Sequence, residues 1–220
     1  MADLSTVVCY GDSNTYGAVG PTDLRHPRDV RWPGVVGTVL AGRAHVVEEG
    51  LNGRTTIWED PFSPGRNGRP YLLPCLASHA PVAVLVIMLG TNDLKAIHRL
   101  GAAEIAAGAG SLADLARASG AGPAAGPPAV LLVAPPALGE LTMASELWGF
   151  GAARRTSTEL ARYFREAARQ SGAAFLDAAS LVVADPVDGV HLDAAAHAVL
   201  GRAIAAAVSE LLGGIPSAGG

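Results

Sequence analysis

The sequence predicts a doubly wound α/β domain, a flavodoxin-like three-layer sandwich built on a five-stranded parallel sheet. Three observations predict it. Short apolar runs alternate five times with longer helix-like stretches along the 220 residues. The middle run, 82–89 (VAVLVIML), is apolar at every position, as expected of a strand covered on both faces of a parallel sheet. No interior linker is long enough to divide the alternation, so a single domain over 1–213 is expected, with 214–220 as a frayed tail.

In chain order the strands are predicted at 6–10 (TVVCY), 44–48 (AHVVE), 82–89, 130–134 (VLLVA) and 173–176 (AAFL). Helices are predicted near 33–42, 69–79, 101–119, 152–171 and 193–212. The third is led by Gly101 and closed by Gly120. The last is led by Asp193, whose carboxylate can accept from free N–H groups of a first turn, and is closed by Gly213. The GAGPAAGPP segment (120–128) reads as a surface loop before a strand. A G-A-G-S-L-A stretch (108–113) imitates a dinucleotide fingerprint, but it falls inside a predicted helix with no strand leading into it.

Composition excludes several classes. Half the residues are hydrophobic and 16% charged, the reverse of a disordered chain. A net charge of −4 argues against a nucleic-acid partner, which needs a basic surface. The opening MADLSTVVCY has no basic leader. The uncharged stretch 118–139 holds Pro123, Pro127, Pro128, Pro135 and Pro136, and the C-terminal apolar region is interrupted by His197, Arg202 and Glu210. No membrane partner is therefore expected, and a cytoplasmic location is. Cys9 and Cys75 are expected as reduced core thiols, because neither C-x-x-C nor H-E-x-x-H accompanies them. No metal and no cofactor is implied. Lys95, the single lysine, follows Leu94 and not glycine, so there is no G-K-[ST] phosphate loop.

In an open parallel sheet, ligands sit beyond the carboxyl ends of the strands. The segments expected there are GDSN (11–14), GLNGRTT (50–56), GTND (90–93) and the loops 135–151 and 177–192. Acyl transfer requires a nucleophile, a base, an acid that orients the base, and donors for the oxyanion. Ser13 directly follows the first strand, where it is either an exposed nucleophile or an N-cap. Thr15 stands where a G-x-S-x-G elbow needs its last glycine, which disfavours the α/β-hydrolase arrangement. Asp188 precedes His191 by three residues across a glycine, a spacing that lets the carboxylate hold the imidazole; a surface histidine is the plain alternative. Gly53 offers a backbone N–H and Asn92 a side-chain amide, although Asn92 beside Asp93 also reads as a turn. Asp185 and Asp193 read as loop and cap residues.

Four blocks in the order G-D-S, G-x-N-G, G-x-N-D and D-x-x-H resemble the SGNH (GDSL-type) hydrolase superfamily, over nearly the whole chain. EEGLNGRTT, MLGTNDLK and DGVHLD are most similar to its bacterial arylesterase and acyltransferase branch. The resemblance implies Ser13 as nucleophile, His191 as base and then acid, and Asp188 as its orienting carboxylate. It places the oxyanion hole on the Ser13 and Gly53 N–H groups and the Asn92 amide, with Asp12, Thr91 and Asp93 in support. The implied activity is hydrolysis of small aryl or alkyl esters through an acyl-enzyme, with acyl transfer to alcohols beside it. The chain departs from G-D-S-L in having Asn14 where the family has leucine, so a more polar pocket wall is expected there. Trp58, Trp148, Phe150, Lys95 and Val190 are expected at the pocket, the aromatics equally as loop packing or a subunit contact. A homo-oligomer is expected, since that branch often forms one. The competing readings are a thioesterase, lysophospholipase or carbohydrate deacetylase on the same scaffold, and a non-catalytic flavodoxin-like binding module.

Overall fold

The computed structural model describes residues 4–214. Five strands pair in parallel: β1 (Ser5–Gly11), β4 (Ala44–Gly50), β5 (Val82–Met88), β6 (Ala129–Ala134) and β7 (Ala174–Asp177), in the order β4-β1-β5-β6-β7. A two-stranded antiparallel ribbon, β2 (Ala18–Val19) and β3 (Leu24–Arg25), stands outside the sheet and was not legible as apolar runs. The predicted strands are all present with shifted ends. β4 runs on to Gly50 because Glu48, Glu49 and Gly50 pair with Cys9, Tyr10 and Gly11 of β1, and ladder hydrogen bonds do not require apolar side chains.

The helices are α1 (Ser13–Tyr16, one turn), α2 (Trp32–Val39), α3 (Gly68–His79), α4 (Ala102–Arg117), α5 (Met143–Ser145), α6 (Arg154–Ser171) and α7 (Ala194–Gly213). Period-two alternation in β1 and β5 sends side chains to opposite layers. Val8, Tyr10, Leu85 and Ile87 are buried under α3, α4 and α6. Val7, Cys9, Val84 and Val86 are buried under α2 and α7. This double cover is why β5 is apolar throughout.

Helix ends follow local chemistry. The Gly101 N–H donates to Glu104 at the head of α4 (2.7 Å), and Asp193 accepts from Ala196 N at the head of α7 (2.7 Å). α4 ends at Arg117, short of the expected 119, with Gly120 taking the left-handed turn that follows. α6 starts at Arg154 and not 152, because the chain at 146–150 is held in a wide helical turn of its own. The 108–113 stretch lies inside α4, where Gly110 lets the helix approach Ala167 of α6. Helix α7 is long and apolar enough by length and composition to cross a bilayer, but it lies along the sheet and buries His197, Leu200, Ile204 and Val208. Of the expected tail, Gly214 caps α7, and 215–220 lie outside the described residues.

One feature of the topology positions the site. The chain leaves β1 for the edge strand β4, then returns past β1 to β5. The connections after β1 and β5 therefore diverge, and a crevice opens at their carboxyl ends. Ser13 follows β1 and Asn92 follows β5, one on each lip.

Candidate active site

Ser13 opens the single turn α1, and Asp12 organises that turn. The Asp12 carboxylate accepts from Asn14 N at 3.0 Å, and its backbone oxygen accepts from Thr15 N and Tyr16 N. The Ser13 N–H is left at the head of the turn with its hydroxyl.

The serine hydroxyl meets an imidazole brought from the other end of the chain. His191 Nε2 lies 3.1 Å from Ser13 Oγ, and His191 Nδ1 lies 2.6 Å from Asp188 Oδ2. The other Asp188 oxygen accepts from Val190 N and His191 N, at 2.8 and 2.9 Å. Burial alone would raise the Asp188 carboxyl, but the imidazole and these two N–H groups outweigh it and hold the group below the usual carboxylate range. An ionised Asp188 accepts only, so it orders the Nδ1–H tautomer of His191 and leaves Nε2 as an acceptor for the serine proton.

Asn14 is placed differently from expectation. It is buried and absent from the cavity wall. Its amide donates to Val190 O (3.2 Å) and accepts from Leu192 N (3.0 Å), pinning both neighbours of His191 to the serine turn. A leucine could make neither bond.

On the opposite lip, the Asn92 amide donates one hydrogen to Arg54 O at 3.1 Å, which fixes its plane and leaves its second hydrogen to the cavity. Gly53 holds φ +80°, a left-handed turn that suits glycine, and faces the same cavity. Arg54 is a residue of the site that motif reading missed. Its buried guanidinium donates to Gly11 O (2.9 Å) and Glu49 O at the ends of β1 and β4, and lies 4.2 Å over the Tyr10 ring. One side chain thus ties the serine strand to the Gly53 loop, while its backbone oxygen holds Asn92.

Asp93 supplies the remaining tie. It accepts from Thr56 N at 3.1 Å and from the Thr56 hydroxyl, joining the loops after β4 and β5. Burial pushes Asp93 up to about 7, against the hydrogen bonds from Thr56. Burial likewise pushes Asp12 up to about 6, and one Asp12 oxygen has no hydrogen-bond partner among the described residues. Thr91 is buried beside them.

These elements enclose a cavity of about 310 Å³ that contains Ser13, Gly53, Asn92 and His191. Larger grooves of about 540 and 400 Å³ lie against α2 and beside residues 179–199, and neither includes the serine or the histidine. Lys95, Trp148, Phe150 and Val190 line the site cavity. Trp148 stands edge-on to His191 with ring centres 5.7 Å apart. Trp58 does not line it. The Thr55 hydroxyl donates to the Trp58 carbonyl (2.5 Å), which ties the backbone of residue 58 back to the start of its own loop.

Gly20 is a second residue the motifs did not reveal. A Cβ there would overlap Asp188 Oδ2 and reach 2.5 Å from His191 Nδ1, so only glycine lets the 18–25 ribbon close over the pair. Elsewhere, Glu49, Cys75 and His79 present ligand atoms within 4.8 Å of one another, a grouping that cysteine spacing did not foretell. Burial, and then the Glu49 carboxylate, push the Cys75 thiol up to about 12, and His79 Nε2 bonds Glu49 at 3.1 Å; a cation there would have to displace that proton and that bond.

A parallel sheet that presents Ser, His and Asp in one hydrogen-bonded chain at its switch point, with Gly and Asn across the crevice, defines the SGNH type of hydrolase. The family comparison agrees. The chain belongs to the GDSL-like lipase/acylhydrolase family, whose model matches residues 9–199. It is similar to the aryl esterase of M. smegmatis, at 39% identity and TM-score 0.89 over 94% of this chain and 99% of that one. It is also similar to a carbohydrate acetylesterase from Sinorhizobium meliloti, at 37% identity and TM-score 0.89 over 94% and 99% of the two chains. No curated protein sequence matches it.

Proposed function

We propose that this protein is a serine esterase that hydrolyses small carboxylic esters of the aryl or alkyl acetate type through an acyl-enzyme on Ser13. The observation that carries the reading is the unbroken Asp188–His191–Ser13 chain, 2.6 and 3.1 Å, opening into a cavity. Ser13 Oγ attacks the ester carbonyl carbon as His191 Nε2 takes its proton. The carbonyl oxygen becomes an oxyanion facing the N–H groups of Ser13 and Gly53 and the free hydrogen of the Asn92 amide. Collapse expels the alcohol, which leaves with the proton from His191. Water then attacks the acyl-enzyme, again losing its proton to Nε2. The second collapse returns that proton to Ser13 and releases the acid. Asp188, held ionised, stabilises the imidazolium at both stages. An alcohol seated in place of water takes the acyl group by the same steps, which makes acyl transfer a branch of one mechanism.

A second reading, deacetylation of a carbohydrate, is favoured by the hydroxyl and amide groups of Thr22, Asn52 and Ser63 on the cavity wall and by the likeness to the Sinorhizobium acetylesterase. The test is a panel of 4-nitrophenyl acetate, an acetylated sugar, an acyl-CoA and a lysophospholipid, run with and without added alcohol. Fastest turnover on the aryl acetate, lost in Ser13→Ala, is expected; a flat response to simple esters would sink the reading.

A further inference from the structure

Among the described residues two cations line the site cavity, Lys95 and Arg66, and no carboxylate does. They are not equivalent. Lys95 Nζ lies 3.7 Å from the buried carboxylate of Asp60, which neutralises it. The Arg66 guanidinium has neither a carboxylate nor a hydrogen-bond acceptor among the described residues. Its backbone is nonetheless anchored, since Arg66 O accepts from Thr55 N at 2.9 Å. The side chain lies along the oxyanion loop, so that a Cβ on Gly53 would sit 3.5 Å from Arg66 Cδ and Nε. A half-buried, uncompensated guanidinium therefore lines the same cavity as the serine, against the Gly53 loop, in a chain whose net charge is −4. At this wall the guanidinium offers an anion a positive charge that no cavity-lining carboxylate among the described residues cancels.

We propose that Arg66 is a specificity-determining residue that selects esters bearing a carboxylate a few bonds from the scissile carbonyl. A planar guanidinium with five donors matches a carboxylate better than any neutral group on a substrate can. The cavity, at about 310 Å³, suits a small ester with one such substituent. The inference rests on the esterase reading and deepens it by naming the substrate class. It leaves the neutral polar groups on the wall, Thr22, Asn52 and Ser63, to accept the rest of the molecule.

The experiment compares three probes: neutral 4-nitrophenyl acetate, 4-acetoxybenzoate with its anion on the alcohol side, and mono-4-nitrophenyl succinate with its anion on the acyl side. The readout is the ratio of kcat/KM for each anionic probe to that for the neutral one. The ratio for at least one anionic probe is expected to fall about tenfold or more in Arg66→Leu, the size of one lost charge-assisted hydrogen bond, and to recover in part in Arg66→Lys. Which of the two falls reports the side of the ester that Arg66 addresses. In the unaltered protein, raising the salt concentration is expected to raise KM for that probe more than for the acetate, which keeps the test open if a variant does not fold. Equal losses on all three probes, or salt effects that do not separate them, would overturn the proposal. No turnover of 4-nitrophenyl acetate by the unaltered protein would instead overturn the esterase reading.

Discussion

The loops that meet at the switch point and the loops that wall the cavity are built in different ways. The inner set, 11–14, 50–56 and 90–93, is cross-tied by Asp12 to Asn14, Arg54 to Gly11 and Glu49, Asn92 to Arg54, and Asp93 to Thr56. Nearly all of these side chains are buried. The outer set, 57–67 and 135–151, carries Phe62 at 84% and Leu147 at 80% exposure. It is joined to the 95–98 segment by single ties, such as Ala96 N to Gly149 O at 2.8 Å and Lys95 to Asp60. On the proposed mechanism, the groups that must meet a transition state to within fractions of an ångström lie in the over-determined set, whereas the loops that wall the cavity mix buried anchors such as Asp60, Ser145 and Phe150 with exposed side chains. On this proposal the inner loops carry chemistry and the outer loops carry choice.

Breaking the inner set should cost turnover in proportion to how directly each group meets the reacting atoms. Asp188→Asn is expected to lower kcat by about 10⁴-fold, because a neutral amide no longer selects the Nδ1–H tautomer; the analogous change in serine proteases sets this scale. Steady-state rates on 4-nitrophenyl acetate check it, and a loss below tenfold would separate Asp188 from the mechanism. Asn92→Ala should reduce kcat by about 10²–10³-fold with a smaller change in KM, since the amide is aimed at charge that develops only in the transition state. A variant that raised KM alone would make Asn92 a ground-state contact. For Gly20→Ala, the added methyl must push Asp188 or the ribbon aside, and a displacement near 1 Å is worth about 10²-fold in rate. Full activity in that variant would show that the ribbon moves freely.

The smallest effect concerns folding and not turnover. Burial, then the nearby His26, hold His197 down to about 3, with Nδ1 accepting from Trp32 N at 3.3 Å. The unfolded chain protonates this histidine near ~6.5 while the folded chain does not, so His197 subtracts stability as pH falls from ~6.5 towards 3. Asp93 and Asp12, raised to about 7 and about 6, act in the opposite sense. The folded chain takes up their protons first, so they add stability as pH falls from about 7 to ~4. Denaturant titrations should therefore show His197→Asn gaining on the unaltered protein as pH drops from 6.5 to 4.5. A stability difference that does not change with pH would contradict this.

The sheet was legible because its central strands are apolar and buried, β5 at every position, while the edge strands β4 and β7 showed only as short apolar runs with shifted ends. Ser13, Asp188, His191, Gly53 and Asn92 were legible as local blocks whose spacing survives in the linear chain. The parts that escaped are those whose meaning lies in distant contacts. Asn14 looks like a pocket residue until Val190 and Leu192, about 176 and 178 residues away, are seen to bond it. Gly20 is one of 27 glycines, and nothing nearby marks it as the one that meets Asp188. Arg54 stands inside a motif block, yet its role depends on carbonyls at the ends of two strands. Arg66 gave no signal because an unpaired arginine is ordinary on a surface and notable only in the wall of a cavity that also holds a serine and a histidine.

The central claim is that His191 activates Ser13 as a nucleophile. Treatment with a fluorophosphonate, followed by intact mass and peptide mapping, tests it most directly. One adduct per chain is expected, located on Ser13, absent from Ser13→Ala and strongly slowed in His191→Ala. A chain that remains unmodified, or an adduct that persists in Ser13→Ala, would contradict it.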